Sequence, residues 1–134
     1  MKEIEIAFIG GSGLYKIPNF KNSKWIEVSS NFGKTSSKIC IGSLNGKNIA
    51  FLPRHGLDHN ISPSKINYRA NIEALKKINV QNIVSISAVG SLREDYKPSD
   101  FVLVDQFIDK TFLREKSFFD EDCVAHIPMA SPIC

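Results

Sequence analysis

An apolar run rich in β-branched residues, Ile4 to Ile9, gives way at once to Gly10-Gly11-Ser12-Gly13, and that junction constrains the chain more than any other feature. Such a run reads as a buried strand, and the glycines behind it permit a tight turn. The backbone N–H groups of a glycine-rich turn after a strand form a concave donor site for anions, to which Ser12 adds a hydroxyl. Neither familiar nucleotide fingerprint fits. The dinucleotide pattern needs a glycine where Lys16 stands, and the P-loop needs Gly-Lys-Ser/Thr further on. A phosphate cradle and a plain structural turn are both open readings of this loop.

Downstream, apolar runs flank Asn45-Gly46 between Lys38 and Leu52. That dipeptide tolerates the positive φ angles of a type I′ turn, so a β-hairpin is predicted. Its second strand, 48–52, runs into Pro53-Arg54-His55-Gly56, which puts Arg54 and His55 at a strand end. Beyond Pro63 the period changes. Tyr68, Ile72, Leu75 and Ile78 fall at helical spacing and predict an amphipathic helix over about 66–78, with Ser64 as its cap and Asn79 as a left-handed terminator. Asn82 to Ala88 reads as a strand buried on both faces, and Phe101 to Ile108 as another after the turn at Pro98-Ser99-Asp100. The order strand, hairpin, helix, strand, strand predicts an α/β fold. No repeat, low-complexity tract or linker divides residues 1–134, so they read as one domain or part of one. The apolar stretch Ile127 to Cys134 lacks the polar fraying of a natural terminus, and the chain is expected to be cut there.

The chemistry-bearing residues each admit two readings. Arg54 offers a guanidinium fork for two anion oxygens with the His55 imidazole beside it, or the pair is solvated surface. Ser87 and Ala88 end an apolar strand at Gly90-Ser91, where α/β proteins present hydroxyls and backbone N–H groups to ligands, or they form a close-packed strand-to-turn transition. His55 and His59 have the i, i+4 spacing of a metal pair, but Gly56 and Pro63 disfavour a helix there and no third ligand is near, so no metal is expected. His126 in its apolar tail reads more simply as a structural histidine, and Asp105 with Asp109 as a polar network or as solvated carboxylates.

Composition narrows the classes. The chain has 134 residues, 43% hydrophobic and 23% charged, which suits a soluble globular protein. Its net charge of +3 comes from scattered lysines and not from a basic stripe, so no nucleic-acid partner is expected. Cys40, Cys123 and Cys134 have no C-x-x-C spacing, which fits a reducing, cytoplasmic setting. Acidic residues in Met1 to Ile6 argue against a signal peptide, and no apolar run reaches membrane-spanning length.

Read together, Gly10 to Tyr15, Leu52 to Gly56, His59, Ile66 to Ile72, Ala88 to Arg93, Asp105 to Asp109 and Ala125 to Ala130 occur in the order and spacing of the methylthioadenosine phosphorylase group. The chain resembles the N-terminal half of that family, over nearly all its length. The resemblance implies a nucleoside phosphorylase-like α/β fold with a mixed central β-sheet flanked by helices, cut short, in which residues 1–134 form the N-terminal part of a single domain. It implies phosphorolysis of 5′-methylthioadenosine with no metal or organic cofactor, inorganic phosphate being a substrate, and a homotrimer in the full-length form. Phosphate would be held by Ser12, Arg54, His55, Ser87 and the Ala88 backbone, with His59 and His126 at the substrate pocket or subunit interface. The acid that assists purine departure lies in the family's second half, as do the segments that choose between 6-amino and 6-oxo purines. A methylthioinosine phosphorylase, or a non-catalytic shortened relative keeping an anion pocket, is the alternative. Two departures from the family are Pro98-Ser99-Asp100 for Pro-Gly-Asp and Asn79 for a glycine.

Overall fold

The computed structural model describes residues 3–11, 18–119 and 122–133, and the chain divides into two units, 1–87 and 88–134. Among its described residues the first unit holds five strands, β1 (Ile4–Gly10), β2 (Lys21–Ile26), β3 (Ile39–Leu44), β4 (Lys47–Pro53) and β5 (Val80–Ser85), and one α-helix, α1 (Tyr68–Lys77). They form a mixed sheet in the order β2-β3-β4-β1-β5. β1 pairs in parallel with β4 and β5, whereas β3 pairs antiparallel with β2 and β4.

The hairpin forms as expected. β3 and β4 pair up to Leu44 opposite Lys47, and Asn45 and Gly46 take φ of 49° and 80°, both positive as a type I′ turn requires. β2, which the pattern did not foretell, is an edge strand of sequence Lys-Asn-Ser-Lys-Trp-Ile. Its lysines suit an edge, and its register shifts between Lys21 and Lys24, where Asn22 has φ 53°.

The helix begins two residues later than the pattern suggested, and its cap is Asn67, not Ser64. Pro63–Lys65 forms a 3₁₀ turn, Ile66 is extended, and the Asn67 side chain accepts the Ala70 N–H at 3.0 Å. At the other end Asn79 has φ 59°, the left-handed conformation foreseen for it. Ala70, Asn71, Ala74 and Leu75 form the buried face of α1. Ala74, Leu75 and Ile78 join Ile4, Ala7, Ile9, Ile39, Ala50 and Leu52 in one core. Fully burying a side chain such as Leu52 or Leu75 contributes about 1.5–3 kcal/mol.

Two further expectations fail. The strand beginning near Asn82 is not buried on both faces: β5 is an edge strand, and Ile83 and Val84 are 42% and 41% exposed. Apolar composition alone does not distinguish a central strand from an edge strand whose face is uncovered. Residues 101–108 are not a strand, because a strand takes its hydrogen bonds from a neighbour and no ladder forms there among the described residues. Phe101 and Leu103 are 93% and 97% exposed.

The 88–134 unit has no helix or strand among its described residues. Local contacts shape it: Arg93 forks onto Asp95, Thr111 and Lys116 converge on Asp109, and Gln106 donates to the carbonyls of Met129 and Ala130. In the turn at 97–100 the Asp100 N–H donates to Lys97 O at 3.0 Å, and Ser99 takes φ 79°, in the left-handed region that favours glycine.

Candidate functional site

Because β1, β4 and β5 run in parallel, their carboxyl ends share one edge of the sheet, and the residues that follow them meet there. The Arg54 N–H donates to Gly10 O at 2.9 Å and the Ile86 N–H to Ile9 O at 2.9 Å, so the ladder runs past the formal strand ends. Gly10-Gly11, Arg54-His55 and Ile86-Ser87 are thereby neighbours, as the rule for ligand sites in α/β sheets requires.

Arg54 is the centre of the cluster. Its Nη1 donates to Ser87 Oγ at 2.8 Å and to Ile86 O at 3.3 Å, and its Nε to His55 Nε2 at 3.2 Å. A Cβ built on Gly11 would lie 4.0 Å from Arg54 Nη2, so Gly11 flanks the guanidinium. Among the described residues no carboxylate pairs with Arg54. Among the described residues the half-buried cation has only uncharged partners, a setting that favours a bound anion.

His55 is held by a short loop. Its Nδ1 lies 2.8 Å from Ile61 O, while its own carbonyl accepts the Ile61 N–H at 3.0 Å. Positive φ at Gly56 (79°) and His59 (53°) lets the chain turn back between them. The His59 ring lies against that of His55, centroids 4.7 Å apart, and is exposed.

The residues singled out in the sequence therefore separate into groups. Arg54, His55, His59 and Ser87 come together in the first unit. Ala88 follows Ser87 and is exposed, and His126 is exposed in the 88–134 unit. Ser12 lies outside the described residues. The sequence reading missed the carbonyls of Ile61 and Ile86, since a backbone acceptor leaves no compositional signal. An open groove between segments 27–38 and 56–67 includes neither Arg54 nor His55 in its lining.

The loop at 29–36 is fastened to α1 by side chains. Asn71 accepts the Ser36 N–H at 2.8 Å and donates to Ser36 Oγ at 2.9 Å, and Asn67 donates to Phe32 O at 2.7 Å. Glu73 accepts from Ser30 Oγ and from the Asn31 N–H and faces Lys77. The Ser30 hydroxyl first, then Asn31 N–H and Lys77, hold the Glu73 carboxyl below its usual range. A depressed folded-state pKa contributes stability that is present above the unfolded value and lost as pH falls through the folded one. Acid titration of stability should accordingly be shallower in Glu73→Gln than in the parent below the ordinary carboxylate range, and parallel curves would show that Glu73 does not fasten the loop.

The comparisons agree with the fold. The Phosphorylase superfamily profile matches residues 5–134. The chain belongs to the phosphorylase superfamily. It is 56% identical over 133 residues to the S-methyl-5′-thioadenosine phosphorylase of Saccharolobus solfataricus, covering 99% of this chain and 49% of that protein. Against the Thermofilum pendens enzyme of the same name it is 52% identical over 134 residues, covering 100% of this chain and 51% of that one. Among solved structures, a methylthioadenosine phosphorylase from an Antarctic soil metagenomic library superposes with a TM-score of 0.94 at 48% identity, covering 100% of this chain and 47% of that one. The Schistosoma mansoni methylthioadenosine phosphorylase in complex with tubercidin gives 0.90 at 41% identity, covering 98% and 49%. The likeness to methylthioadenosine phosphorylases thus spans the chain, and the chain spans about half the length of the curated relatives it matches.

Proposed function

We propose that the whole protein carrying this chain catalyses phosphorolysis of 5′-methylthioadenosine, and that residues 1–134 supply its phosphate-binding half. The observation that carries this reading is the Arg54 guanidinium, held at the carboxyl ends of parallel strands by uncharged partners and paired with no carboxylate among the described residues. A phosphate oxygen attacks ribose C1′ as the bond to the purine nitrogen breaks, giving adenine and 5-methylthioribose 1-phosphate. The ribosyl centre passes through an oxocarbenium-like state, so an anion fixed beneath it both stabilises charge and is already in place to attack.

In this reading Arg54, His55 and Ser87 line the phosphate site, and Ser12 and the Ala88 N–H complete the cradle by resemblance to the family. His59 and His126 belong to the nucleoside pocket or a subunit interface of a cytoplasmic homotrimer. Phosphate is a substrate, and neither metal nor organic cofactor takes part. The acid that protonates the departing purine lies outside residues 1–134, so these residues alone are expected to give no turnover.

Purified whole protein supplied with methylthioadenosine should release adenine and sugar phosphate in equal amounts, and only when phosphate is present. Equal adenine release without phosphate would overturn the proposal in favour of hydrolysis, and turnover of methylthioinosine alone would overturn the choice of base.

A further inference from the structure

We infer that the His55 imidazole is a positioning group that acts through Arg54, fixed in its neutral Nδ1-protonated form by the Ile61 carbonyl, and that the ring itself does not donate to the bound anion. The inference rests on the phosphate-site reading above and assigns a role within it.

Each neighbour of the His55 ring is limited in what it is able to do. Ile61 O, 2.8 Å from His55 Nδ1, is a carbonyl and only accepts. The proton must therefore be on Nδ1. Arg54 Nε, 3.2 Å from His55 Nε2, carries a hydrogen and only donates, so Nε2 must offer a lone pair. One state of the ring satisfies both contacts: neutral, with Nδ1 protonated. In that state Nε2 has no hydrogen to give an anion. A second proton would abolish the Arg54 contact and set two cations side by side.

The contact fixes the direction of the guanidinium. With Nε engaged by His55 and Nη1 by Ser87 Oγ and Ile86 O, rotation about the side-chain axis is blocked and Nη2 is left toward Gly11. The loop that supplies Ile61 O is itself shaped by positive φ at Gly56 and His59 and by the Ile61 N–H bond to His55 O. His59 packs on the other ring as a lateral stop. The imidazole behaves as a backstop for the guanidinium, much as an outer hydrogen bond orients a metal-bound histidine.

A double-mutant cycle in the whole protein tests this, with phosphate KM, nucleoside KM and kcat read for His55→Ala, Arg54→Lys and the double variant. Lysine keeps the charge at position 54 but has no Nε–H for His55 to accept. His55→Ala should raise phosphate KM about tenfold, as expected for a lost hydrogen bond to a charged group, and leave nucleoside KM unchanged. In the Arg54→Lys background the same substitution should add less than about twofold, because its effect requires the arginine. His55→Gln, whose amide oxygen reaches the Nε2 position, should recover phosphate KM, and His55→Asn, too short to do so, should not. Nitrogen-15 chemical shifts of the His55 ring should report protonated Nδ1 and bare Nε2 at neutral pH.

Additive losses in the cycle, or a ring protonated at Nε2, would overturn the inference and leave the phosphate site standing. Parallel rises in phosphate and nucleoside KM would make His55 a general structural support and overturn it as well. An unchanged phosphate KM in Arg54→Lys and in Arg54→Ala would instead sink the phosphate-site reading itself.

Discussion

Replacing Arg54 by alanine in the whole protein is expected to lower kcat/KM for phosphate about a hundredfold or more. A hydrogen bond between charged partners contributes about 1.5–3 kcal/mol, or one to two factors of ten, and loss of positioning adds to it. Nucleoside affinity should change little, since the side chain meets Ser87, Ile86, His55 and the flank of Gly11, all at the anion end of the site. The fold should survive. The bond that ties residue 54 to β1 uses its backbone N–H and Gly10 O, and alanine keeps it. Steady-state kinetics with phosphate varied at saturating nucleoside provide the measurement, and an unchanged phosphate KM with an unchanged kcat would remove Arg54 from the site.

The largest effect on stability should come from Asn71→Leu. Asn71 is 1% exposed, and both ends of its amide are used, the oxygen by Ser36 N–H and the nitrogen by Ser36 Oγ. Leucine has a similar volume, so little cavity results, but two polar groups of Ser36 lose their partners beside the core. Leaving a buried polar group unsatisfied costs about 1–3 kcal/mol, and because Ser36 is half-buried a total of about 1–3 kcal/mol is expected from urea unfolding. A shift under about 0.5 kcal/mol would mean that water replaces Asn71 at this position.

What could be read in the chain beforehand depended on how local the determinant was. Asn45-Gly46 encodes its turn in two residues, and the hairpin stands as expected; Asn79 likewise needs only its own tolerance for positive φ. Arg54 and His55 could be placed at a strand end because Pro53 follows an apolar run, and Ser87 because another run ends there. That these ends adjoin follows from the parallel pairing of β1 with β4 and β5, which no local pattern encodes. β2 was hidden by its polar sequence, since an edge strand needs no apolar alternation. Ser64 was an attractive cap until the 3₁₀ turn at Pro63–Lys65 moved the helix start onto Asn67. Position 101–108 carries the composition of a strand without a ladder, a reminder that β-propensity describes fit to a neighbour.

The parallel centre of the sheet also sets the order in which the site can come into being. β1 emerges first, yet its two partners are β4 and β5, the second of which is not complete until Ser85. Antiparallel β3 and β4 are able to zip from their turn, whereas each parallel pairing must first close a long loop, and that entropy is spent before any contact repays it. Arg54 therefore waits, with its β4 hairpin formed early, for a partner at Ser87 that arrives only after α1 has been made. On a ribosome, Arg54 and Ser87 meet only once residue 87 has emerged, and any nascent chain released before that point carries the guanidinium without the hydroxyl that aims it.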